Sequence, residues 1–264
     1  MTKTVLITGA SSGVGRETAL GMAKRGWRTA LVARRRDRLD VLSQEIKKMG
    51  APVPLILDED ITAPGSPEKI VEKTLKTFGR LDALVNNAGI LRMAPMTAMP
   101  VAEMREIFET NFWAPLALVR AVIPAFKNQG GGHVVQVGSG VSRRGLPLMA
   151  AYAASKFALL GFTESVRLEL ASHGITFSLV LPGGIDTEMP ELVDRHRLPP
   201  GYPSHEKSRV SARRAARAVE KAILGRGTEI FVPWWVRPGA WLSALCPSWA
   251  DKIIRKSYRR IQWK

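Results

Sequence analysis

The chain has 264 residues, 45% of them hydrophobic, and 39 Lys and Arg against 23 Asp and Glu give it a net charge of +16. That size and apolar share exclude a disordered chain and are enough for one sizeable core. A lone cysteine, Cys246, excludes an internal disulfide, and four histidines without ligand spacing leave a metal centre without support, so none is expected.

The first apolar run, Thr4 to Ile7, reads as a strand. It begins almost at the amino terminus, leaving no room for a signal or transit peptide, and a cytoplasmic location is the expectation. Thr8-Gly9-Ala10-Ser11-Ser12-Gly13-Val14-Gly15 then leads into a helical stretch near Arg16. Glycines in such a turn allow positive φ and close approach of the backbone to a phosphate, whose charge the helix amino terminus favours. The second strand, Thr29 to Val32, ends at Ala33, Arg34, Arg35 and Arg36. The third, Val53 to Leu57, runs into Asp58-Glu59-Asp60-Ile61, and the fourth, Ala83 to Val85, into Asn86-Asn87-Ala88-Gly89. A long helix from Val101 to Lys127 carries Asn111. His133 to Val137 precedes Ser139, a second long helix covers Tyr152 to Ala171, Phe177 to Leu181 ends in Pro182-Gly183-Gly184, and Glu229 to Val232 completes the set.

Strands alternating with helices predict an α/β fold: a doubly wound, Rossmann-type parallel sheet forming a single domain over residues 1–232. Such sheets bind ligands beyond the carboxyl ends of their strands, and six of these strands end in polar or glycine-rich residues. Tyr152 and Lys156 lie four apart and leave one face of one helix. An ammonium near a phenol lowers its pKa, so Tyr152 is expected to exchange a proton with a ligand oxygen.

Three ordered motifs give the chain a specific likeness. Thr8, Gly9, Gly13 and Gly15, then Asn86 to Gly89, then Tyr152 and Lys156 resemble the T-G-x-x-x-G-x-G, N-N-A-G and Y-x-x-x-K patterns of the short-chain dehydrogenase/reductase family. Ser139, thirteen residues before Tyr152, Asn111, and Pro182-Gly183 with Thr187 match further family positions. The resemblance implies a catalytic set of Asn111, Ser139, Tyr152 and Lys156, with Tyr152 as general acid or base and Ser139 orienting the substrate oxygen. It has Lys156 holding the cofactor ribose and depressing the tyrosine pKa, and Asn111 positioning a water. Ser142, ten residues before Tyr152, is expected to be structural.

It also implies a nucleotide site made of Thr8, Gly9, Ser11, Ser12, Gly13, Val14, Gly15, Arg34, Arg35, Asp60, Ile61, Asn87, Ala88, Gly89, Tyr152, Lys156, Pro182, Gly183 and Thr187. Asp58 is the alternative to Asp60 if the register slips. No acid stands at the end of the second strand, and guanidinium groups there suit a 2′-phosphate, so NADP(H) is preferred over NAD(H). A lid is expected near residues 186–207, and Met93, Leu146, Met149 and Met189 join Ser139 and Tyr152 as substrate contacts. Adaptable methionines favour a bulky hydrophobic ketone, aldehyde or secondary alcohol, lipid-like or steroid-like. Family members pair through the two long helices, so a homodimer or homotetramer is expected. A catalytically silent nucleotide sensor or a membrane-associated scaffold is the alternative function.

Residues 233–264 form a basic, tryptophan-rich extension with seven Lys and Arg from Arg237 onward against Asp251 alone. From Pro247 it reads as a helix with Trp249, Ile253, Ile254, Tyr258 and Ile261 on one face, similar to an interfacial membrane helix. Packing on the protein itself is the competing expectation. Prolines interrupt the run from Ile230 to Ala250, so it is not read as a membrane span, and no nucleic-acid partner is expected.

Overall fold

The computed structural model describes residues 2–186, 197–202, 209–225 and 227–261. Seven parallel strands form one sheet: β1 (Thr4–Thr8), β2 (Arg28–Val32), β3 (Leu55–Leu57), β4 (Ala83–Asn86), β5 (Gly132–Val137), β6 (Ile175–Pro182) and, last in the chain, β9 (Glu229–Val232). Their order is β3-β2-β1-β4-β5-β6-β9, so the direction of winding reverses between β1 and β4. A crevice at that reversal is the usual ligand position in such sheets. All seven strands coincide with apolar runs in the sequence.

Continuous rather than alternating apolarity follows from burial of both sheet faces. Val5 and Ile7 of β1, with Leu31, Val85 and Val135, pack under α1 (Gly13–Lys24), α2 (Arg36–Lys48) and α7 (Ala212–Ile223). Leu6, Ala30, Leu84 and Val134 point the other way, toward α3 (Ser66–Phe78), α5 (Ala114–Asn128) and α6 (Ala150–Glu169). Each fully buried Leu, Ile or Val side chain of this kind contributes about 1.5–3 kcal/mol.

α4 (Val101–Phe108) runs into α5 through a π-helical turn, Glu109–Trp113, centred on Asn111. Two short strands, β7 (Ile185–Asp186) and β8 (Val210–Ser211), pair with each other outside the main sheet. The extension folds into α8 (Val236–Leu245) and α9 (Pro247–Ser257). α8 rests Val236 and Ala240 on a cluster of Leu160, Leu181 and Phe231. No helix among the described residues is long and apolar enough to cross a membrane.

Candidate active site

The strand ends and their loops enclose a cleft of about 1160 Å³. Its nucleotide-like arm is built at the β1–α1 turn. Gly9 has φ +65, and a Cβ on it would come within 2.8 Å of the Asn87 side chain and 3.0 Å of the Ala88 backbone. A Cβ on Gly15 would meet the Gly9 carbonyl, so both glycines are required where helix, turn and the β4 loop converge.

Thr8 and Asn87 hold the two loops together. The Thr8 hydroxyl accepts from the backbone N–H groups of Asn87 and Ala88, both at 3.0 Å, and the Asn87 amide donates to the Thr8 carbonyl at 2.9 Å. Thr8 is buried and, like Gly15, does not line the cleft. Gly9, Ser11, Ser12, Gly13 and Val14 do, with Asn87, Ala88 and Gly89 opposite.

The three arginines after β2 separate by direction. Arg35 bends over the glycine-rich turn and donates to the Ser12 hydroxyl at 2.9 Å and to that of Ser11 at 3.1 Å. Arg34 reaches toward Asp60 at 3.8 Å, and both arginines line the cleft. Arg36 turns away to Asp40 and Asp58. Asp60 and Ile61 form the adjoining wall, and Asp58 stays outside it. Burial raises the pKa of the Asp60 carboxyl, but hydrogen bonds from the Thr62 N–H and hydroxyl and the charge of Arg34 outweigh it and hold the group below its usual range.

At the other end, α6 carries Tyr152 and Lys156 on one face, and the turn after β5 brings Ser139 to the tyrosine. The Ser139 hydroxyl lies near that of Tyr152 and favours its ionised form. Ser139 also caps the short helical turn Gly140–Ser142, and the buried Ser142 hydroxyl accepts from the Ser139 N–H at 3.1 Å. Ser142 therefore shapes the turn without facing the cleft.

Lys156 donates to the Val137 carbonyl at 3.0 Å, and its ammonium lies 6.0 Å from the centre of the Tyr152 ring. Burial lowers its pKa to about 8. Tyr152 is half-buried and lines the cleft. Burial pushes that phenol up, and the nearby Ser139 hydroxyl offsets only part of the rise. The expected lowering is thus reversed, because burial disfavours the charged phenolate.

Asn111 lies beneath the cleft wall. Its side chain accepts from the Ile90 N–H at 2.8 Å and donates to the Ile90 carbonyl at 3.0 Å and the Ser155 hydroxyl at 3.2 Å. It is fully buried and does not line the cleft. The residue joins the β4 loop, the π turn and α6, and such turns recur at functional sites. Asn111→Ala leaves the buried N–H and carbonyl of Ile90 without these partners. Thermal unfolding should show a loss of about 1–3 kcal/mol, and an unchanged melting temperature would contradict this clamp.

The remaining wall is mixed. Met93, Leu146 and Met149 line it with Val141, Leu198, Pro199, Tyr202 and Val236, and Arg92, Glu106, Thr110, Arg144 and Arg209 add polar and charged groups. Thr187 and Met189 lie outside the described residues, as does most of the expected lid. Leu148 has φ +67, a strained value for a non-glycine residue, and its carbonyl accepts from the Ala94 N–H. That turn presents Leu146 and Met149 to the cleft. Among the described residues there is no group of three metal-ligating side chains.

A family model described as short chain dehydrogenase matches residues 3–197. The chain belongs to the short-chain dehydrogenase family. It is an oxidoreductase acting on a CH–OH or C=O group. One relative, the 11-beta-hydroxysteroid dehydrogenase-like 4A of Arabidopsis thaliana, is 37% identical over 261 residues, covering 97% of this chain and 84% of the relative. A solved alcohol dehydrogenase from the archaeon Thermococcus sibiricus, complexed with 5-hydroxy-NADP, superposes with a TM-score of 0.77 at 27% identity, covering 88% of this dehydrogenase and 96% of that chain. A Burkholderia phymatum short-chain dehydrogenase/reductase in complex with NAD shares the fold, with a TM-score of 0.82 at 21% identity over 94% of each chain.

Proposed function

We propose that this dehydrogenase uses NADP(H) to interconvert a bulky hydrophobic ketone or aldehyde and its alcohol, with Tyr152 as the proton donor of reduction and acceptor of oxidation. The observation that carries the reading is that Tyr152, Ser139 and Lys156 line one cleft with Arg34 and Arg35. The cleft wall of Gly9, Ser11, Ser12, Gly13 and Val14, at the amino terminus of α1, suits the phosphates of a dinucleotide. Gly9, Ser11, Ser12, Gly13, Val14 and Asn87 to Gly89 would hold its phosphates and ribose, Asp60 and Ile61 its adenine, and Pro182, Gly183 and Thr187 its nicotinamide end. Thr8 and Gly15 would act by shaping the turn. When bound, the cofactor supplies or accepts the hydride.

The chain's own groups handle the oxygen. A phenol with a raised pKa keeps its proton at neutral pH and can donate it to a carbonyl oxygen, while the Ser139 hydroxyl gives a second hydrogen bond to the developing alkoxide. Lys156, with its pKa near about 8, remains largely cationic at neutral pH and would hold the ribose and stabilise the phenolate left behind. Asn111 would act as a positioning residue that fixes α6 against the β4 loop. Met93, Leu146 and Met149, with Met189, would receive an apolar substrate. The name of the Arabidopsis relative supports a steroid-like or lipid-like compound. Exposed Val101, Trp113, Phe157 and Leu168 on α4 to α6 support pairing of subunits through those helices.

Arg35→Ser tests the cofactor assignment. Loss of a guanidinium from a phosphate should raise the Kd for NADPH about 10–100-fold and leave that for NADH nearly unchanged. Equal effects on both cofactors, or none, would contradict the 2′-phosphate role.

A further inference from the structure

The extension divides into a side that packs and a side that does not. Val236 and Ala240 of α8 rest on the core, and Ala250, Tyr258 and Ile261 are buried at and beyond α9. The face expected from the sequence is therefore split: Tyr258 and Ile261 go inward, while Trp249 and Ile253 remain 50% and 45% exposed. They share the hairpin with Leu245, 79% exposed at the end of α8, and with exposed Trp241 and Leu242. Trp234, 71% exposed, and Trp235 precede α8.

Basic groups surround these side chains. Arg237, Lys252, Arg255, Lys256, Arg259 and Arg260 are exposed, and Arg214 stacks on Trp235 with its guanidinium 5.1 Å from the ring centre. The only acid between residues 233 and 261, Asp251, is paired with Arg144.

We propose that the α8–α9 hairpin is a docking surface for an anionic lipid bilayer. Indole rings, exposed aliphatic tips and a surrounding set of cations suit the headgroup region, where apolar side chains enter the acyl boundary and Lys and Arg meet lipid phosphates. Charge complementarity favours this occupant over a second copy of the chain. Two-fold pairing of the hairpin would bring its uncompensated cations toward their own equivalents. Leu245 and Ile253 likewise offer a nucleic acid no stacking surface.

The same hairpin adjoins the cleft. Val236 and Arg144 line it, and Gly201 and Tyr202, also in its wall, meet the carbonyl of Arg260 and the ring of Tyr258, the latter at 5.9 Å. Docking would place the apolar end of the cleft beside the bilayer, the source of a membrane-dissolved substrate. The lipid contact itself does not depend on the cofactor assignment.

Flotation of the full chain with phosphatidylcholine/phosphatidylserine vesicles, and with phosphatidylcholine vesicles alone, tests the surface. The chain should float with the mixed vesicles and much less with the neutral ones. The triple variant Leu245→Glu, Trp249→Glu, Ile253→Glu and the charge variant Lys252→Glu, Arg255→Glu, Lys256→Glu should each bind about tenfold or more weakly. Both should keep the wild-type melting temperature and NADPH affinity, which separates a docking defect from a failed cofactor reading. In the unmodified chain, brominated lipids in the mixed vesicles should quench tryptophan fluorescence, a readout that needs no variant. Absence of flotation and quenching, or undiminished flotation of the triple variant, would overturn the proposal. So would a dimer that the triple variant dissociates while vesicles have no effect, since a second copy would then cover this face.

Discussion

Tyr152→Phe should lower kcat for carbonyl reduction by about 10²–10⁴ while leaving the affinity for NADPH close to wild type. The substitution removes the hydroxyl near Ser139 and leaves the ring beside Lys156. Even one lost hydrogen bond would cost only about 0.5–1.5 kcal/mol, so the variant should still fold. Steady-state turnover and cofactor titration, measured on the same preparation, separate the two effects. Equal turnover by the variant and the wild type would remove Tyr152 from the chemistry, and loss of NADPH affinity alone would make it a cofactor contact.

Lys156→Met should reduce turnover by about 10² or more and yet stabilise the protein at neutral pH. The two consequences have one origin. Lys156 is buried, and its folded pKa of about 8 lies below the ordinary 10.5. Between these values the unfolded chain binds more protons than the folded one, so this group's contribution to stability rises with pH from about 8 to about 10.5. Below about 8 both states are protonated, and the folded state carries the whole cost of an enclosed ammonium, on the order of 3 kcal/mol. Methionine removes that charge at similar volume but leaves the Val137 carbonyl without its donor. A net gain of about 1–2 kcal/mol remains, which raises Tm by roughly 2–4 °C per kcal/mol. The advantage should disappear as pH approaches about 10.5. A variant less stable than wild type at pH 7 would show that Lys156 is held by favourable interactions.

The sheet was legible because parallel strands bury both faces. The run Val5-Leu6-Ile7 had to feed two cores and so could carry no polar alternation. The polar residues at the strand ends were legible for the complementary reason, as those positions face a crevice. Side-chain direction was less accessible. Four-residue spacing places Tyr152 and Lys156 on one face of α6, but it does not specify how deeply the phenol is buried, so the direction of its shift was missed. Motif matching identified Thr8 and Asn111 but could not distinguish a residue that lines a cleft from one that braces its wall. Arg34 to Arg36 formed one basic run in sequence and separate into two cleft residues and one outward residue only when β2 ends and α2 begins.

The extension shows the limit of periodicity. Pro233, Pro238 and several tryptophans obscure the spacing of α8, whose inner contacts are Val236 and Ala240. α9 was expected as a helix and found as Pro247–Ser257, but its apolar stripe is divided between protein and solvent. Tyr258 turns inward because Tyr202 offers both a ring and a hydrogen bond, from a segment more than fifty residues earlier in the chain. Such a long-range partner leaves no local signature. The strands β7 and β8 escaped for the same reason, since each has two residues and their pairing depends on the distant connection between them.

Hydride transfer can be followed directly with NADPH carrying deuterium at the transferable position of the nicotinamide. The wild-type chain is incubated with a panel of apolar ketones and aldehydes, including steroid-like ones, and the products are weighed by mass spectrometry. One deuterium should appear on the carbinol carbon of at least one product and be lost when Tyr152→Phe replaces the wild type. A chain that binds NADPH but labels no product from any member of the panel would contradict the account.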